Sequence, residues 1–64
     1  MEGGLLTIQE AAKVLGVSVT TMRELVWAGR ISYIDLNKGG KYIRARFTRQ
    51  HLEEFMAKNE VKAG

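Results

Sequence analysis

The 64-residue chain carries ten Lys and Arg against seven Asp and Glu, a net charge of +3, with no Cys, no Pro and a single His. A chain this short buries only about 60% of the surface its unfolded form exposes, so it has room for one small domain and not for an enclosed catalytic cleft. Neither a disulfide framework nor a zinc site can staple it, no apolar run approaches the ~20 residues of a membrane span, and the Met-Glu-Gly-Gly start lacks the basic residues of a signal peptide.

Thr7 followed three residues later by Glu10 fits a capping box, so a first helix starts at Ile8. Ile8, Ala11, Ala12 and Leu15 make one narrow apolar stripe, and Gly16 is the expected left-handed stop. Two turns of helix are not stable alone, so this one must pack at once. Ser18 is a second N-cap, with Val17 and Met22 placed to close a hydrophobic staple. Met22, Leu25 and Val26 repeat the core spacing before Gly29 ends the second helix. Two short amphipathic helices joined by a Gly-Val-Ser link have the sequence form of a helix-turn-helix.

From Ile31 the period changes to two. Ile34 and Leu36 alternate with Tyr33 and Asp35. Asn37-Lys38-Gly39-Gly40 supplies turn chemistry, and Ile43, Ala45 and Phe47 alternate with Tyr42, Arg44 and Arg46. The pattern predicts a hairpin with one apolar and one basic face, and with Tyr33 and Tyr42 as an outward cross-strand pair. Charge is concentrated here. Residues 30–49 hold Arg30, Lys38, Lys41, Arg44, Arg46 and Arg49 against Asp35 alone, a net +5, while residues 1–29 and 50–64 are each −1. Such a block is a candidate anion-binding surface. Thr48 caps a third helix, with Phe47 and Leu52 as a staple and Leu52, Phe55 and Met56 as its apolar face. Beyond Lys58 the chain is polar and expected to fray. His51 has no partner pattern and reads as surface structure.

The order helix, tight turn, helix, basic hairpin, helix is an α+β winged helix-turn-helix layout in one domain, 1–64, with an ordered core over about 5–58. The run Leu5-Leu6-Thr7-Ile8-Gln9-Glu10-Ala11-Ala12-Lys13-Val14-Leu15-Gly16-Val17-Ser18 resembles the excisionase-type, MerR-like winged-helix DNA-binding domains. So do Arg30-Ile31 after Gly29 and Leu52-Glu53-Glu54-Phe55. The likeness spans about residues 5–57. It implies double-stranded DNA as partner, cytoplasmic location at the nucleoid, and a role directing a recombinase or integrase towards excision, with cooperative self-association on adjacent sites. Small transcriptional regulators of the same fold are the nearest alternative. An adaptor whose basic hairpin meets an acidic protein is the alternative from another class.

In a helix-turn-helix the N-terminal part of the second helix enters the major groove. The candidate base-reading residues are therefore Ser18, Val19, Thr20, Thr21 and Arg23, with Arg23 suited to guanine and Val19 to a thymine methyl. The candidate wing contacts are Lys38, Gly39, Gly40, Lys41, Arg44 and Arg46, four cations around a slender tip suited to phosphates and a minor groove. Related domains often place basic residues where this chain has Val19, Glu24, Trp27 and Asp35. Asp35 is expected to pair with an arginine across the hairpin. Trp27 is expected to pack half-buried against the hairpin or the helix ends, with a protomer interface as the sharper reading. No Ser/His/Asp grouping or phosphate-binding loop is present, and Glu53 and Glu54 diverge on a helix, so neither an enzyme, a cofactor, a metal nor a small-molecule ligand is expected.

Overall fold

A computed structural model describes residues 4–62. Helix α1 spans Ile8–Leu15, α2 Val19–Trp27 and α3 Arg49–Asn59; strands β1, Ile34–Asp35, and β2, Ala45–Arg46, lie between α2 and α3. Three helices with a two-stranded antiparallel hairpin make a small winged helix-turn-helix.

The helix ends follow the local chemistry. Thr7 Oγ1 accepts the Glu10 N–H at 3.1 Å while Glu10 Oε1 accepts the Thr7 N–H at 2.8 Å. Just past α1, Gly16 takes φ 74°, and the Val17 N–H closes back on the Ala12 carbonyl at 3.0 Å. This left-handed reversal turns the chain directly into α2. At the far end of α2, Gly29 adopts φ 69°, and the N–H groups of Gly29 and Arg30 return to the carbonyls of Val26 and Leu25. His51 corrects its reading as unpartnered surface. It is half-buried, and its Nδ1 accepts the Thr48 N–H at 3.1 Å while Thr48 Oγ1 accepts the His51 N–H, so it fills the place Glu10 fills in α1.

Ala11 and Ala12 are buried, and their small side chains let α2 approach α1 closely. Met22 and Val26 come from α2, Ile31 from the link to the hairpin, Ala45 and Phe47 from the second strand and its continuation, and Leu52 from α3. Phe47 is fully buried and joins the layers. Its N–H and carbonyl bond the carbonyl and N–H of Leu6 at 2.9 and 2.7 Å, so the N-terminal segment lies alongside the hairpin as a single-residue third strand. Residue Met56, expected on the apolar face of α3, is instead 45% exposed, beside Val14 and Leu6 in a shallow groove on the side of α1 and α3.

The hairpin differs from its expected form in register. Ile34 pairs with Arg46 and Asp35 with Ala45, and the Leu36 N–H bonds the Arg44 carbonyl at 2.9 Å. The loop is thus longer than the four turn residues, and an odd shift in pairing exchanges the two faces of a strand. Ile31, Tyr33 and Asp35 lie on the side of Ala45 and Phe47, whereas Ile34 and Leu36, expected in the core, share the outer face with Arg44 and Arg46 and are 37% and 47% exposed. The expected Tyr33–Tyr42 pair does not form. Tyr33 packs against the core and Tyr42 is 73% exposed near the tip.

Candidate nucleic-acid interface

The start of α2 is held by its own side chains. Ser18 Oγ accepts the Thr21 N–H at 3.1 Å and donates to Thr21 Oγ1 at 3.0 Å, and Thr21 is half-buried. Val19 packs against the core. Of the five candidate base-reading residues, Ser18, Thr20 and Arg23 are exposed and Val19 and Thr21 half-buried; with the Ser18 hydroxyl bonded to Thr21 at the helix start, Thr20 and Arg23 are the exposed side chains that project from the helix itself. Thr20, Arg23, Glu24 and Trp27 form the exposed arc of α2, opposite Met22 and Val26. Helical spacing puts Arg23 and Trp27 at the edge next to Val26 and Glu24 at the other edge.

Asp35 organises the wing through backbone amides. Its Oδ1 accepts the backbone N–H of Asn37 at 2.8 Å and that of Arg44 at 3.0 Å, tying both ends of the loop to β1. Within the loop Asn37 Nδ2 donates to the Tyr42 carbonyl at 2.8 Å, and the Gly40 N–H bonds the Asn37 carbonyl. A Cβ at Gly40 would overlap the Asn37 carboxamide, so a side chain there breaks the bridge; Gly39 takes φ 88°. The tip is slender because it is internally braced.

Around this frame Lys38, Gly39, Gly40, Lys41 and Arg44 are exposed. Arg46 is half-buried, and its Nη1 donates to the Ala45 carbonyl at 3.0 Å. The other two cations of the basic block lie elsewhere: Arg30 lines a cleft with His51, Glu54, Phe55 and Lys58, and Arg49 borders the groove containing Val14 and Met56. The wing thus presents three exposed cations and a fourth half-buried one, and Asp35 directs its carboxylate into the loop.

Trp27 corrects the expectation of half-burial. It is 71% exposed, at the mouth of an open cleft between α2 and the wing whose lining also includes Arg23, Val26, Ile43, Ala45 and Ile8. Ile43 was counted as core and is 40% exposed. Nothing in a linear pattern brings Trp27 and Ile43 together, because their meeting depends on how the wing folds over α2.

No group of three or more His, Asp or Glu side chains that could hold a metal ion occurs among the described residues, and no described helix is long and apolar enough to cross a membrane. A helix pair whose second member exposes Thr20 and Arg23, beside a basic wing, defines a DNA-binding helix-turn-helix protein. The chain belongs to the helix-turn-helix domain family, whose model matches residues 5–60. No curated protein and no solved structure matches it.

Proposed function

We propose that this protein binds double-stranded DNA with sequence preference as an excisionase-like architectural factor, coating or bending DNA from adjacent sites with the help of neighbouring copies and directing a recombinase towards excision. The observation that carries the reading is the pairing of a nearly neutral exposed helix with a braced cationic wing. Arg23 and Thr20 offer base-edge contacts, with Ser18, Val19 and Thr21 holding the helix start, while Lys38, Lys41, Arg44 and Arg46 offer phosphate contacts around the Gly39-Gly40 tip. Phosphate contacts supply affinity with little sequence information, and two exposed readers give one copy modest selectivity. Binding in company multiplies both, because a neighbour already on the DNA raises the effective concentration of the next.

Titration of a multi-site duplex by gel shift tests this. The expected result is a cooperative ladder whose affinity falls steeply with salt. A single non-cooperative complex would overturn the architectural role in favour of simple repression. Absence of any complex at low salt would overturn DNA binding and leave the adaptor reading, in which the wing meets an acidic protein.

A further inference from the structure

The single tryptophan of the chain, Trp27, stands exposed at the cleft between α2 and the wing. One wall carries Trp27 and Arg23 and the other Ile43, with Val26 and Ala45 among the lining residues; Glu24 lies on the opposite edge of the helix and takes no part. The chemistry is mixed: one guanidinium, one indole whose N–H is a donor, and apolar surface from both sides.

If α2 occupies a major groove and the wing the neighbouring minor groove, one element of the duplex must pass between them. Adjacent grooves are separated by a single sugar-phosphate strand. That strand alternates an anionic phosphate with the largely apolar face of a deoxyribose, and the cleft offers a cation and apolar walls in the same small space. We propose that the cleft is a backbone-straddling site, in which Arg23 gives up the base-edge contact assigned to it above and pairs with a phosphate, while Trp27 and Ile43 clasp the adjoining sugar. The site rests on the DNA-binding reading above and adds to it, at Trp27 and Ile43, a contact that is neither base-reading nor counterion-releasing.

That last property separates Trp27 from the wing cations. Log affinity falls with log salt only in proportion to the phosphates neutralised. A neutral side chain packed on a sugar contributes equally at every salt concentration and on every sequence. Trp27→Ala is therefore expected to weaken binding on the order of tenfold, equivalent to about 1.4 kcal/mol, with the salt slope unchanged and with the same loss on unrelated duplexes. Ile43→Ala should act in the same direction, and Arg23→Ala should lower both affinity and slope.

The indole also reports on itself. The test is intrinsic emission and acrylamide quenching of the full chain titrated with a duplex too short for two copies, alongside a concentration series without DNA and the affinities of the three variants. Circular dichroism melts verify that each variant folds. Support is a blue-shifted, protected Trp27 in the one-to-one complex together with the salt-independent loss in Trp27→Ala. Complex formation with unchanged emission and quenching overturns the cleft site and leaves DNA binding intact. Protection that rises with protein concentration in the absence of DNA overturns it in favour of a second copy seated on Trp27. A failure to bind any duplex at low salt overturns the DNA-binding reading itself, and the cleft site with it.

Discussion

Removing two wing cations changes the salt dependence of binding by an amount that follows from the geometry. Lys41→Ala with Arg44→Ala is the informative pair. Both side chains are exposed, and the bond from Arg44 to Asp35 uses the backbone N–H, which alanine keeps. Arg46 is a poorer choice, because it is half-buried and its guanidinium bonds the Ala45 carbonyl. Counting the wing's Lys38, Lys41, Arg44 and Arg46 as about four phosphate contacts gives a log–log slope near −3.6, or roughly a 150-fold loss of affinity between 50 and 200 mM salt. With two contacts gone the slope falls to about −1.8 and the same salt change costs roughly 12-fold. The variant should therefore bind far more weakly than the parent at 50 mM and approach it at 200 mM. Fluorescence anisotropy with a labelled duplex at four salt concentrations measures both slopes, and a thermal melt within a degree or two of the parent verifies the fold. Parallel lines, with equal slope and a constant offset, would refute the assignment of these residues to phosphates.

Asp35→Ala removes a negative charge from the wing, so charge counting alone expects tighter binding. The bonds to Asn37 and Arg44 predict the reverse, weaker binding with faster hydrogen exchange at those two amides as the loop loosens. Phe47→Ala should cost about 3–5 kcal/mol, most of the ~3–10 kcal/mol expected of a domain this size, so urea titration should show little or no cooperative transition. Replacing His51 by Ala should lower stability by roughly 0.5–1 kcal/mol through loss of half of the α3 capping box, whereas His51→Gln should retain most of it by thermal denaturation.

The elements visible in the sequence are those that local chemistry defines. Thr7, Ser18 and Thr48 marked three helix starts, and Gly16 and Gly29 two reversals, because caps and left-handed stops act within a few residues. What escaped was decided by pairing at a distance. The faces of β1 depend on register, and register depends on an Asp35 carboxylate that captures amides on both sides of the loop. An aspartate in an alternating strand reads as a solvent-facing charge, and only the completed loop turns it inward. His51 was missed for a narrower reason: capping boxes are recognised by Glu or Gln at the third position, and an imidazole nitrogen meets the same need. For the candidate site, the cations and glycines of the wing were legible from composition, but the exposure of Trp27 and Ile43 was not: the alternation put Ile43 on the apolar face of the hairpin, and Trp27, off the core stripe of its helix, was expected half-buried against neighbours that do not cover it.

Trp27 is where the thin core and the DNA face meet in one argument. Burying a tryptophan removes some 150–250 Å² of surface and ranks among the largest single contributions to a small fold, yet this chain leaves its only one 71% exposed and fills its centre with Phe47, Met22 and Leu52. The indole therefore adds little to folding, and Trp27→Ala should leave the melting temperature nearly unchanged. Whatever apolar surface it has to contribute is available only when something enters the cleft beside Arg23 and Ile43. A melting temperature that falls steeply in Trp27→Ala would place the residue among the structural ones and remove the reason for a sugar to sit there. An unchanged melt with weakened binding assigns its apolar surface to the complex.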